Sequence, residues 1–375
     1  MSKSEADVVS EVDRIAREVV SPAAIQVDRE GAFPRASIDA LARAGVLGAV
    51  SAPEAGGLGL GPRGAVAIVE RLARSCGSTA MVTTMHLCAA AVLEAHAPIE
   101  VRREVAAGSR LVTLAFSEVG SRSHFWAPVG TARREGDVVV LDGAKSWATS
   151  AHHADYVWSS RPLAAEGAST LWLVPRATPG LTIPAPFEGL GLRGNDSAPV
   201  TAEGVRIPAS AQLGTDGKGF DVMMGVVLPL FQVLNAACSL GIMDAAVERT
   251  AAHASGTRLE HLGSALRELP TVRAHVARMR IQTDLVRGLL EDTLRAMEAG
   301  RPDAMLRVLE VKAAAGESAT QVLDTAMRVC GGAAFRKEVG VERLFRDARA
   351  AHVMGPTSDV VYDFIGKAIT GLPLF

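Results

Sequence analysis

The chain has 375 residues, 48% of them hydrophobic and 21% charged, a globular composition with ample length for a sizeable core. Lys and Arg number 39 against 41 Asp and Glu, a formal charge of −2, which excludes the basic footprint of a nucleic-acid or anionic-membrane binder. Cys76, Cys88, Cys238 and Cys330 lie far apart with no C-x-x-C pair, which excludes a disulfide scaffold and leaves zinc and redox dithiols without support.

The opening MSKSEADVVSEVDRIAREVV has early acids, no apolar stretch and no small-residue cleavage site. It does not read as a signal peptide, and a reducing cytoplasm is expected. Val8, Val12, Ile15 and Val19 recur at helical spacing, as do apolar residues around 38–47 and 66–73, so residues 4–108 are predicted helical. Residues 51–64, rich in Gly and Pro, read as a loop, and the Ala-rich run 79–97 as a helix buried on most sides. Near Arg110 the texture changes. Short runs rich in Val, Thr and Trp, separated by turn residues, continue to about Leu213 and predict a small antiparallel β domain. From Gly217 the helical period returns. The most membrane-like stretch, 222–243, is interrupted by Pro229, Gln232, Asn235 and Ser239 and reads as a buried core helix. Val276, Met279, Leu285, Leu289 and Met297 are expected to form one apolar face. A further helix over 305–329 should stop at Gly331-Gly332, and residues 357–372 should again be helical. The resulting order is helical (1–109), β (110–215), helical (216–375).

Most motifs have bland readings. Gly59-Gly61-Gly64 and Gly189-Gly191-Gly194 match G-x-G-x-x-G, but neither follows a strand and opens a helix in a βαβ unit, so both read as turn glycines. His152-His153 lack acids or cysteines at ligand spacing, and no G-x-S-x-G elbow supports a serine hydrolase. The segment AFSEVGSRSH (115–124) differs: a strand runs into a loop dense in hydroxyls and glycine, suited to phosphate or carbonyl acceptors. Then KSWAT (145–149) puts Trp147 and Thr149 two apart on a strand. The Trp could pack on a flat heterocycle while the hydroxyl bonds its edge, or the pair could be a core Trp and an edge Thr.

Together these segments resemble the acyl-CoA dehydrogenase superfamily of flavoproteins. Ser117-Glu118-Val119-Gly120-Ser121-Arg122-Ser123-His124 is similar to its T-E-x-G-x-G-S-D motif, and residues 145–149 to its K-x-W-I-T. Gly191-Leu192-Arg193-Gly194 with Val205-Arg206-Ile207-Pro208, residues 213–220, and Gly331-Gly332 with 341–349 resemble three further motifs in family order. The resemblance covers nearly the whole chain. It implies an α+β fold: an N-terminal helical domain, a middle antiparallel β-barrel-like domain and a C-terminal four-helix bundle. It implies FAD, or alternatively FMN, with Phe116, Ser117, Trp147 and Thr149 at the ring and Ser123 on the pyrophosphate side. It implies a homodimer or homotetramer in which Gly331 and Gly332 reach a neighbour's cofactor, with Thr357 and Asp359 also touching the cofactor. Arg328, before the glycines, is either a phosphate contact or a surface residue. The partners implied are an acyl thioester or related small molecule, and an electron-transfer flavoprotein or a flavin reductase.

The sequence also departs from the family. Family dehydrogenases remove an α-proton with a carboxylate, a general-base task. At the usual position of that base stands Gly355, and at the alternative position, on the first long C-terminal helix, Phe231, followed by Gln232. Neither Gly nor Phe takes a proton, so no catalytic residue is assigned. His86, His124 and His352 are the spare titratable groups, with structural roles as the alternative. The expected function is a flavin-dependent oxidoreductase lacking the usual Glu. The competing readings are a monooxygenase of the same fold, using reduced flavin and oxygen, and a non-catalytic scaffold.

Overall fold

The computed structural model describes residues 4–121 and 124–374. It opens with α1 (Glu5–Ile15), capped reciprocally: Asp7 N–H donates to Ser4 Oγ at 3.2 Å, and Ser4 N–H to Asp7 Oδ2 at 3.1 Å. A π-helical turn leads to α2 (Ser21–Glu30), followed by α3 (Arg35–Arg43), α4 (Gly61–Ser75), α5 (Gly77–His96) and α6 (Ile99–Ala106). Val8, Val12 and Ile15 are buried, as their spacing requires. The glycine-rich loop ends earlier than expected, because α4 begins at Gly61. Pro62 sits in its first turn, where the missing N–H is an orphan anyway. The first G-x-G-x-x-G is therefore a loop-to-helix junction after a 3₁₀ turn at Pro53–Ala55.

The middle segment holds two four-stranded sheets. One has the order β1 (Val112–Ala115), β4 (Asp155–Ser160), β5 (Thr170–Val174), β8 (Gln212–Leu213). The other has β2 (Thr131–Glu135), β3 (Val138–Ala148), β7 (Ala198–Pro208), β6 (Leu181–Thr182). The pairings are antiparallel, as expected, with one correction: β1 runs parallel to β4. A parallel pair needs a long connection, and the β2–β3 hairpin of the other sheet supplies it. Between the sheets lies a compact core in which Trp158 and Trp172, cross-strand neighbours, are fully buried with Tyr156, Leu141 and Val205.

After α7 (Gly219–Val222) comes α8 (Leu228–Gly256), then a two-strand ribbon of β9 (Arg258–Leu259) and β10 (Ser264–Ala265). The remaining helices are α9 (Pro270–Glu298), α10 (Ala304–Cys330), α11 (Val341–Ala348), α12 (Ala350–Val353) and α13 (Ser358–Thr370). α8, α9 and α10 pack on one another, and α13 packs on α10. Gly241 allows the close crossing of α8 and α4, since a Cβ there would stand 2.2 Å from the Glu70 carbonyl oxygen. The expected face of α9 is corrected. Its buried residues include Met279, Thr283, Val286, Leu290, Thr293 and Leu294; Leu289 and Met297 of the expected face pack half-buried on the core, while Leu285 is 63% exposed. Threonine, scored polar in a sequence, packs inside because its hydroxyl bonds a carbonyl one turn back, as Thr283 Oγ1 does to Met279 O. Helix α5 and the run Gly219–Gly256 are apolar and long enough to cross a membrane, yet 78% and 89% of their most apolar windows are buried in the fold. All four cysteines are buried and free.

Candidate active site

A cavity of about 600 Å³ opens where the middle sheets meet the helices. That volume lies inside the roughly 300–1,000 Å³ of small-molecule sites. Each wall has a local cause. One is the exit of β1, Phe116 to Ser121. Another is the end of β3, with Ser146, Trp147 and Thr149. Met81 and Met85 of α5 face Val227, Leu228 and Phe231 at the start of α8, and Val353, Met354 and Gly355 close the side between α12 and α13.

The rim is the segment 187–197, which has little regular structure and is held by bonds from three directions. Leu192 N–H donates to Asp347 Oδ1 at 2.6 Å, Gly194 N–H to Ser78 Oγ at 3.1 Å, and Arg193 Nε to the Asp28 carbonyl at 2.8 Å. Arg346 grips the Asp28 carboxylate with both terminal nitrogens, at 2.8 and 2.6 Å, and also donates to Leu190 O. Gly191 is required here: a Cβ would lie 2.3 Å from the Arg346 carbonyl oxygen. The second glycine motif is thus a close-approach device and not a dinucleotide loop.

Beneath the β1 exit lies a buried ion pair that sequence reasoning missed. Lys145 is fully buried, and its Nζ donates to Glu118 Oε1 at 2.7 Å, Ser159 O at 2.6 Å and Ser159 Oγ at 2.9 Å. The Glu118 carboxylate also accepts the N–H groups of Val129 and Gly130. Burial pushes the Lys145 ammonium down to about 8, against the pull of Glu118. A signal existed, since both residues stand inside the two motifs singled out above, and an isolated bridge pairs their backbones.

Of the ten residues assigned to a cofactor, Phe116, Ser117, Trp147 and Thr149 line the cavity together. Trp147 and Thr149 do not share a regular strand face, however. The β3–β7 ladder bulges between Lys145 and Ala148, and Trp147 has φ +59°. The indole is 60% exposed and lies against Phe187, the rings tilted by 31° with centroids 4.1 Å apart. Arg328, Gly331 and Gly332 lie exposed at the end of α10, Thr357 caps α13 and Asp359 is exposed on it; none of these lines the cavity. Ser123 falls outside the described residues.

Gly355 and Phe231 both stand in the cavity wall. Among the described lining residues only Glu118 and Arg193 are ionisable, and both are engaged as described. The three spare histidines line other parts of the molecule. His86 is buried between Leu47 O and Val112 N–H, and burial pushes it down to about 4. His124 contacts Ser121 O, and His352 joins Thr320 to Ser358. The described residues contain no cluster of metal-ligand type.

Three family models match in order: "Acyl-CoA dehydrogenase, N-terminal domain" over residues 2–108, "middle domain" over 113–205 and "C-terminal domain" over 217–370. The chain is 30% identical to the human mitochondrial short-chain specific acyl-CoA dehydrogenase over 348 residues, covering 90% of this chain and 83% of that protein. It is 28% identical to the probable acyl-CoA dehydrogenase YngJ of Bacillus subtilis, covering 96% of each. The solved butyryl-CoA dehydrogenase of Megasphaera elsdenii has the same fold, with a TM-score of 0.91, 22% identity and 98% coverage of each chain. The chain belongs to the acyl-CoA dehydrogenase family, whose members are flavin-dependent oxidoreductases.

Proposed function

We propose that the cavity binds a flavin, FAD in the first instance, and oxidises an acyl thioester or related small molecule with no side-chain carboxylate at the reacting carbon. The observation that carries this is the wall itself: both positions where the family resemblance places a base are Gly355 and Phe231, and the ionisable lining residues are already engaged.

The residues present fit a flavin. The apolar faces of Phe116, Leu114, Met81 and Phe231 suit a flat ring, while the hydroxyls of Ser117, Thr149 and Ser197 and the amide of Asn195 suit its polar edge. Trp147 is held in a backbone region that costs a non-glycine residue of order 1–3 kcal/mol, which is where binding sites store strain. When bound, a flavin supplies a two-electron acceptor. The protein's part is to position the substrate against the apolar wall of Val227, Leu228, Val353 and Met354 and to keep water out. Methionines in that wall adapt to irregular shapes.

Trp147→Ala is expected to weaken flavin binding roughly tenfold, the sum of lost stacking and lost apolar area. Titration of the flavin-free protein by fluorescence checks it, and unchanged affinity would remove Trp147 from the site. Gly355→Glu is expected to bring a carboxylate to the cavity and to raise acyl-CoA-dependent bleaching of the flavin under anaerobic conditions. Rapid bleaching by the unaltered protein would defeat the base-free reading.

A second reading of the same base-free wall is a monooxygenase fed by a flavin reductase. Oxygen uptake coupled to substrate hydroxylation would support it over the dehydrogenase, whose electrons would leave through an electron-transfer flavoprotein. A colourless protein with no affinity for FAD or FMN would sink both, leaving a scaffold.

A further inference from the structure

Helix α8 is apolar along most of its length, yet Gln232, Asn235 and Ser239 form a polar stripe on it at i, i+3 and i+7, and all three are buried. Both amide atoms of Gln232 and Oδ1 of Asn235 find no protein partner among the described residues, whereas Asn235 Nδ2 rests 3.4 Å from the Met354 sulfur. Buried amides in native folds are almost always satisfied, by protein or by ordered water. Beside the stripe is a second cavity of about 10 Å³, lined by Asn235, Cys238, Ser239 and Asp347. Met81, Leu192 and Ala350 line this cavity and the main one alike, so the two adjoin. A single water needs roughly 10–15 Å³ and two to four polar partners, and this site offers both.

We infer that the small cavity is a water site, bonded to Asn235 Oδ1, Ser239 Oγ and the Asp347 carboxyl, through which Asp347 exchanges its proton with the main cavity. On exchange the Asp347 O–H bond breaks heterolytically, its proton passes to the water, and that water hands one of its own protons to a solvent water in the adjoining main cavity; no electrons change hands. The groups around Asp347 are Arg343 and Arg346 on its own helix, Asp28 from α2, Cys76 ahead of α5, Cys238 from α8 and the Leu192 N–H. Both thiols are raised by burial and stay neutral. Burial also outweighs the arginines at Asp347 and lifts it to about 6, so it can hold or yield a proton near neutrality. The use of this proton store rests on the reading given above, in which Gly355 and Phe231 leave the main cavity without an unengaged proton-carrying side chain. Its existence does not.

Infrared difference spectroscopy of the protein as purified tests it without turnover. The carbonyl band of a protonated carboxylic acid should disappear as pH is raised through about 6, shift at once in heavy water, and be missing from Asp347→Asn. Asn235→Leu should keep the band and slow its hydrogen–deuterium exchange about tenfold or more, exchange then depending on local opening. Ser239→Ala should slow it too, and serves if the leucine variant fails to fold. A spectrum in which Asp347→Asn loses no titrating band, or variants that exchange as fast as the parent, would overturn the inference. A protein that binds no flavin defeats the earlier reading and leaves this test intact.

Discussion

Glu118→Ala is expected to lower the unfolding free energy by about 3–5 kcal/mol, the usual cost of stranding a buried charge. The Lys145 ammonium would keep Ser159 as an acceptor but lose the one carboxylate that opposes its desolvation. Two backbone donors, Val129 and Gly130 N–H, would lose their acceptor in the same stroke. Urea unfolding followed by intrinsic fluorescence reads the change directly. The control is the double variant Glu118→Gln with Lys145→Met, which removes the charge along with its partner. It should recover a large part of the loss, because replacing a whole buried pair is far cheaper than breaking one. A single-variant loss below about 1 kcal/mol would mean that water reaches Lys145 and that the pair is not buried in solution. The outcome also bears on the cavity, since Glu118 lines it and Ser146 N–H bonds Ser117 O next to the pair, at 2.8 Å.

The second large effect is a dependence of stability on pH. Asp347 is raised to about 6 in the folded chain from its ordinary 3.8, so the folded state binds the proton more tightly than the unfolded one. Between those two values unfolding releases a proton, and stability falls as pH rises. The contribution is therefore fully present below about 3.8, is lost progressively as pH rises to about 6, and has vanished above it. A difference of that size corresponds to about 3 kcal/mol. Comparing parent and Asp347→Asn over this window isolates it, since the amide keeps an oxygen for Leu192 N–H but cannot titrate. The stability gap between them should shift by that amount from low to neutral pH. A gap independent of pH would show that the carboxyl stays ionised throughout.

Much of the architecture can be read from period and composition, and the exceptions have physical reasons. The β stretch after Arg110 and the burial of α5 and α8 follow from residue patterning alone. The face of α9 does not, because Ile281 and Leu285 are apolar and exposed while Thr283 and Thr293 are polar and buried. Hydropathy ranks the side chain and cannot see the carbonyl that satisfies a threonine. At the site, Trp147 and Thr149 stand out in a chain with 4% aromatics, but the left-handed turn at Trp147 is invisible, since nothing in its neighbours requires a bulge there. That Phe231 and Gly355, 124 positions apart, face one cavity depends on α8 and the α12–α13 link folding back on each other, and only motif order hinted at it. The Asn235–Ser239–Asp347 cluster is not legible in the sequence, for Asn235 and Ser239 look like ordinary interruptions of the apolar α8, and Asp347 stands in the charged α11 with nothing to pair it with them until the helices are packed.

The rim segment 187–197 takes its anchors from Asp28 and Ser78 near the start of the chain and from Arg346 and Asp347 near its end. No one of the three regions owns the cavity; it is a property of their seam. A lineage could not acquire it by borrowing one module, nor shed one and keep the cavity's rim anchored. Change must come instead through single substitutions in the cavity wall, and positions such as 231 and 355, where a side chain can alter without loosening any anchor, are where a new reaction would be written.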